Sequence, residues 1–334
     1  MTQLASKTLA DLGWPTILAQ LSTRCHTARG MREAENLAFC ASPAEARRRI
    51  ELVAEGRRLR ALEDPPPFGG IREIDDEVAR AAKGGVLECE ELIAVAETIM
   101  GCALLRCHLV GRATPAPGLA AIAAPIAELT HVSGPIRDSF ADNGRLVDQA
   151  SAALGPLRRA ASALRDELSA RTSSLLDDPT IAPHLTDRFA TQRNDRYVVP
   201  VRTAARSRVA GIVHDTSQSG HTVFVEPAEI VELNNRLKMA EADVAAEEQR
   251  ILAELSGYVR EEVAAIRLAT DTATALDLLD GGAALADALD ASSPDLVDGA
   301  LELVRARHPL MVLSGRACVP NDIVVAAGTV LVLS

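Results

Sequence analysis

Ile230, Leu237, Val244, Ile251 and Tyr258 lie seven residues apart, with Leu233, Leu255, Val259 and Ile266 beside them. A heptad repeat this long keeps one apolar seam turned toward a partner helix, which leaves few folds open to the chain. It predicts a helix from Pro227 to about residue 268, with proline near its first turn. A partner lies upstream: Leu157, Ala161, Leu164, Leu168 and Leu175 recur at helical spacing and predict a helix over residues 146–176, kinked in its first turns by Gly155-Pro156. At about 1.5 Å per residue the two helices span roughly 60 and 46 Å, an antiparallel arm with a small unit at its end.

That unit reads as β-rich. Arg196 to Arg202 (RYVVPVR), Val209 to His214 (VAGIVH) and His221 to Val225 (HTVFV) carry β-branched residues, and the polar run Asp215 to Gly220 (DTSQSG) makes the last two a hairpin. Pro200 has no N–H to give a ladder, so its strand is expected at an edge or beside a bulge.

The remainder reads as helical. Ala, Leu and Val make up most of the 48% hydrophobic content and aromatics only 2%, a composition that favours helix. Ser42-Pro43-Ala44-Glu45 is a capping box, followed by an apolar stripe of Ile50, Val53, Leu59 and Leu62. Pro65 to Gly70 and Gly84-Gly85 are breaks, and a helix over 89–109 turns Leu92, Ile93, Val95, Ile99 and Leu104 inward. Residues 111–135 read as loop with a short helix, and a further helix is expected from Gly281-Gly282 to about Leu289. Residues 301–334 change to β-branched runs with turns between them, ending on an apolar strand, LVLS.

No apolar run approaches the roughly 18 residues that cross a bilayer, and the N-terminus lacks a secretory core, so the expectation is a soluble, cytoplasmic chain. Cysteines 25, 40, 89, 102, 107 and 318 have no framework spacing. Cys102, Cys107 and His108 point to different faces of one helix, a poor metal set, and read as reduced core thiols with no metal.

Charge is the chief functional signal. Residues 188–208 hold six arginines against Asp195, a local +5 in a chain of −11, so the remaining residues carry −16. Arg193, Arg196, Arg202, Arg206 and Arg208 are the candidates for phosphate contact, because guanidinium presents a planar, permanently charged fork. The competing reading is a solvated basic loop balancing an acidic arm, with Arg193 or Arg196 paired to Asp195. Phe189, Tyr197 and Phe224 are the only aromatics here, so stacking would be a minor term and contact would be to backbone and shape. His214 and His221 with Asp215, Ser217 and Ser219 do not make a hydrolytic triad, since all sit on one turn without a strained elbow. Asp215 and Ser217 are expected to bond the turn's own backbone, with Gly220 at positive φ. Glu247-Glu248 and Glu261-Glu262 read as a solvated helix face.

The chain resembles the MutS family in its bacterial MutS-two branch. The most specific runs are RYVVPV (196–201), GIVHDTSQSGHTVFVEP (211–227) and ELNNRL (232–237). Weaker ones are LGWPTILAQL near the N-terminus, KGGVL (83–87), RARHPLM (305–311) and VPNDI (319–323). The resemblance implies a mainly α fold: a helical core (1–140), an outgoing lever helix (141–186), a β clamp (187–226), a returning lever helix with core helices (227–300) and the first strands of an incomplete ATPase domain (301–334). It also implies that the clamp meets nucleic acid, either branched or duplex DNA in recombination control or ribosomal RNA on stalled, collided ribosomes. The family homodimerises mainly through its ATPase, uses ATP and Mg, and often carries a C-terminal Smr nuclease domain.

The family's phosphate loop, a GPNTGGKT-like run, is expected directly after LVLS, and no lysine follows Lys238. The expectation is therefore that this chain has no cofactor and no catalytic residue of its own, although Cys318 and Val319 would line the adenine edge in the complete parent. The alternative is a structural coiled-coil module for protein interaction or dimerisation that binds no nucleic acid.

Overall fold

The computed structural model describes residues 6–329 apart from 298, 300 and 327, and the LVLS strand expected at 331–334 lies outside the described residues. The protein is mainly helical with a small antiparallel sheet, and it divides into two compact units, residues 1–137 with 256–334 and residues 138–255.

The first unit begins with α1 (Ser6–Asp11), α2 (Trp14–Ser22), α3 (Ala28–Glu35), α4 (Pro43–Ala61), α5 (Asp75–Ala82) and α6 (Cys89–Val110). After these come α7 (Pro117–Ala123) and α8 (Thr130–Ser139). The predicted cap at Ser42 is present: its hydroxyl accepts from the Glu45 amide at 3.2 Å, while Glu45 returns to the Ala41 amide at 2.7 Å. Leu52 and Leu59 of α4, Cys102, Leu105 and Leu109 of α6, and Leu119 of α7 share one buried cluster. Two residues expected inward are not: Leu62 is 65% exposed, beyond the end of α4, and Leu104 is 58% exposed on the outer face of α6. By length and composition alone α6 could cross a membrane, against the expectation that no run could, yet nine of its residues are buried in this unit.

The strongest departure lies downstream. Instead of a new helix beginning at Gly281-Gly282, α11 (Val263–Ala288) runs straight through the pair. These glycines serve close packing: a Cβ on Gly281 would stand 3.0 Å from the Cys25 sulfur, and one on Gly282 3.3 Å from Val53. The same helix carries buried Asp277, which accepts from the His26 and Thr27 amides, both at 2.8 Å, and from the Thr27 hydroxyl at 2.6 Å. One carboxylate thereby ties the α2–α3 turn to the central helix. Burial, with Asp277 and Asp280 nearby, pushes the Cys25 thiol up to about 12, and burial alone does the same for Cys102, so both are core thiols as expected, whereas Cys107, expected in the core with Cys102, is exposed on α6. The unit closes with β5 (Leu301–Ala306), α12 (Pro309–Leu313) and β6 (Asn321–Val325), of which β5 and β6 pair antiparallel.

The second unit contains α9 (Leu154–Leu176), the four strands β1 (Thr191–Arg193), β2 (Arg196–Arg202), β3 (Gly211–Thr216) and β4 (Thr222–Pro227), and most of α10 (Ala228–Glu261). Both helices are shorter than the periodicity predicts, because the chain at 148–150 is a 3-10 turn and Glu262 interrupts the second helix before residue 268. They run antiparallel: Arg158 meets Glu248 at 2.7 Å and Arg165 meets Glu241 at 2.6 Å, one heptad forward on α9 and one back on α10. Of the seam residues, Ile230, Leu237 and Ile251 are buried, and Leu168 and Leu175 of α9 share a core with Ile230 and Leu237.

Glu247 and Glu248 are not the solvated face expected of them. The Arg250 guanidinium at 2.9 Å and the Ser151 hydroxyl at 2.6 Å hold the Glu247 carboxyl down to about 2. A carboxylate depressed in the folded state adds stability above its ordinary value of 4.5 and loses it as pH falls toward about 2. Wild type and Glu247→Gln are therefore expected to melt apart at pH 7 and to converge between about pH 4.5 and 2, followed by circular dichroism. A gap that persists at pH 2 would contradict this assignment.

Candidate nucleic-acid interface

The sheet has the order β1-β2-β4-β3, all antiparallel. Val199 and Val201 of β2 and Val223 and Val225 of β4 point to the core shared with α9 and α10. By strand alternation the opposite face carries Arg196 and Arg202 of β2, with Arg193 of β1 paired beside Arg196, while Arg206 and Arg208 lie in the 3-10 turn Thr203–Arg208. Asn194 and Asp195, at φ 51° and 57°, make the two-residue turn that pairs Arg193 with Arg196. The DTSQSG turn behaves as its chemistry predicts: Asp215 accepts from the Thr216 amide at 2.8 Å, Ser217 from the Thr222 amide at 3.1 Å, and Gly220 sits at φ 69°.

The five candidate arginines divide into two groups. Arg196 is drawn into the protein, its Nη1 3.0 Å from the Glu226 carboxylate. Arg206 donates to the Val209 carbonyl at 3.1 Å and the Gly211 carbonyl at 2.9 Å, pinning the loop before β3. Arg193 lies 4.5 Å above the Phe224 ring and 3.4 Å from Asp215, while Asp195 faces Lys238 at 3.7 Å rather than either neighbouring arginine. Arg202, just before the 3-10 turn Thr203–Arg208, and Arg208, its last residue, are exposed, and neither has a hydrogen-bond or ion-pair partner among the described residues. Two of the five are thus uncommitted, and Arg202 lies beside exposed His221, whose carbonyl accepts from the Thr203 amide at 3.0 Å.

The centre of the site is Glu226, which the charge pattern did not single out. It is 1% exposed, and its oxygens accept from Arg196, from Asn234 Nδ2 at 2.8 Å and from His214 Nε2 at 2.6 Å. His214 reaches it because the register of β3 shifts between Val213 and Asp215, a bulge that re-aims the side chain. Asn234 also receives the Tyr197 amide at 3.0 Å and donates to the Tyr197 carbonyl at 3.2 Å. The β2–β4 register carries Tyr197 opposite Pro227, which has no N–H to give, so a side chain of α10 supplies the pairing instead. Gly211 lets β3 close on this node, since a Cβ there would stand 2.1 Å from the Glu226 carbonyl oxygen. The sequence did hold a signal for this centre: an acid ending an apolar strand, and an asparagine four residues after Ile230 on the apolar stripe.

Cys318 and Val319 lie in the other unit. The Cys318 sulfur accepts from the His308 amide at 3.3 Å, and Val319 is 76% exposed. Among the described residues no group of three or more His, Cys, Asp or Glu side chains is placed to hold a metal ion.

No protein-family model matches the chain. Among curated proteins it is 40% identical over 331 residues to an Endonuclease MutS2 of Anaeromyxobacter sp. (strain Fw109-5), covering 96% of this chain and 41% of that protein. It is 34% identical to the Endonuclease MutS2 of Symbiobacterium thermophilum, covering 95% of this chain and 40% of the relative, and 34% identical to that of Geobacillus thermodenitrificans, covering 96% and 41%. An antiparallel helical pair bearing a small basic sheet is thus found in a chain aligned along nearly its whole length with MutS2 proteins. The chain belongs to the MutS2 family. It spans about two fifths of the length of the curated relatives it matches.

Proposed function

We propose that the second unit is a nucleic-acid grip, the clamp and lever of a MutS2 protein. The observation that carries this is the pair of exposed arginines, Arg202 at the end of β2 and Arg208 in the 3-10 turn after it, which have no partner among the described residues while Arg196 and Arg206 are held internally. Two uncommitted guanidinium groups on a rigid support suit the phosphate backbone, whereas the net charge of −11 opposes a polyanion overall. Binding is therefore modest and strongly dependent on salt. The biological target is branched DNA in recombination control or ribosomal RNA on stalled ribosomes.

The relatives are named endonucleases, and we assign nuclease and ATPase activity, with homodimerisation, to the complete protein rather than to these residues. ATP and Mg do not fit here. No lysine follows Lys238 to reach a triphosphate, and Cys318 and Val319 alone make no nucleotide site. Titration into a fluorescent four-way DNA junction at several salt concentrations, with ribosomes as competitor, tests the reading. Junction binding that weakens steeply with salt supports the grip. Displacement by a small amount of ribosome moves its role to translation. Absence of binding to either at low salt refutes it and favours a coiled-coil module.

A further inference from the structure

The chain has eight aromatic residues, and seven are packed or partly covered. Trp14 and Phe39 stack at 4.7 Å, Phe68 stacks on His26 at 5.1 Å, and Phe224 lies beneath Arg193. Phe140, Tyr197 and Tyr258 are partly buried. Phe39 and Phe189 are each 50% exposed, but Phe189 alone has neither a ring nor a cation against it among the described residues. A single exposed apolar side chain requires no explanation by itself. The backbone that presents Phe189 does.

Leu185 bridges Val201, the Thr186 amide donates to the Pro200 carbonyl at 2.9 Å, and pairing resumes only where Thr191 meets Val198. In an extended strand the N–H and C=O of one residue point to the same edge. The edge that receives Thr186 is therefore the edge where Pro200 has no N–H to give, and residues 187–190 leave the ladder there. Asp187, Arg188 and Phe189 stand in solvent, while Ala190 returns to the core. Arg188 has no hydrogen-bond or ion-pair partner among the described residues, and Arg202 follows Val201 at the end of the same edge.

We propose that Phe189 is a stacking platform for an unpaired nucleobase, with Arg188 and Arg202 on the adjoining phosphates. This rests on the nucleic-acid reading above and narrows it from any duplex to nucleic acid with an unstacked base. In a regular duplex every base face is already stacked, so the ring has nothing to cover. A flipped or single-stranded base offers one free face, and aromatic stacking on it is sequence-tolerant.

The test compares wild type, Phe189→Leu and Phe189→Trp by fluorescence anisotropy at low salt on two DNA probes, a regular duplex and the same duplex with a central three-base bulge of about equal charge. Phe189→Leu is expected to lower affinity for the bulged probe about tenfold, with Phe189→Trp restoring it and duplex binding unchanged in both. Equal losses on both probes, or no loss on the bulged one, would overturn the stacking role while leaving the grip intact. Failure of wild type to bind either probe would overturn the grip and the platform together. Unchanged melting of the Leu variant, expected for an exposed side chain, separates loss of contact from loss of fold.

Discussion

Replacing Arg202 and Arg208 together by glutamate abolishes junction binding at moderate salt and leaves helicity and melting temperature as in wild type. Both guanidinium groups are exposed and bear no internal bond among the described residues, so their loss removes nothing from the fold. Each phosphate contact contributes roughly one unit to the salt slope of log affinity, and reversal adds repulsion from an already acidic chain. The double neutral variant, Arg202→Gln with Arg208→Gln, is expected to retain weak binding with a slope shallower by about two units. Arg206 is left out because its bonds to the Val209 and Gly211 carbonyls hold the entry to β3, and its replacement would confuse grip with folding. Unaltered affinity in the double glutamate variant would sink the interface.

Glu226→Ala is expected to be among the most damaging single changes in the second unit. It removes the partner of three donors at once and leaves Arg196, itself largely buried, without a counter-charge. Breaking one side of a buried ion pair costs about 3–5 kcal/mol, most of it the price of a stranded charge. Glu226→Gln keeps an acceptor for Asn234 and is expected to lose less. Urea titration followed at the α9–α10 helical signal gives both values. A loss below about 1 kcal/mol for the alanine variant would mean that water replaces the carboxylate and that Glu226 is not the centre it resembles.

Much of this could be read from the chain. The seam at Ile230, Leu237 and Ile251 and its partners Leu168 and Leu175 give the helical pair, because apolar period is a local property. The boundaries of β2 matched RYVVPVR, but Pro200 marked neither an edge strand nor a bulge: β2 lies between β1 and β4 in regular register with β4, and the missing N–H instead falls where residues 187–190 leave the ladder. Gly281-Gly282 misled for the opposite reason. Glycine pairs usually end helices, but here Cys25 and Val53 require their small volume, and only the folded core reveals that. Glu247 and Glu248 likewise appeared solvated until Ser151, Arg158 and Arg250 were brought to them. Among the arginines, composition gave the cluster but not its division. Which guanidinium is free depends on where Glu226, Asp215 and the Gly211 carbonyl fall, and those lie up to 30 residues away along the chain.

Asn234 has a mechanical consequence. Its amide is paired to the backbone N–H and C=O of Tyr197 and to the Glu226 carboxylate, so the sheet is keyed to one angular phase of α10. Successive helix residues are offset by about 100°, and turning the helix by a single residue would carry Asn234 out of reach of β2. A twist applied along this helix therefore cannot dissipate as slip where helix and sheet join. It either breaks three hydrogen bonds together or arrives at the sheet as rotation, in the manner of a splined shaft.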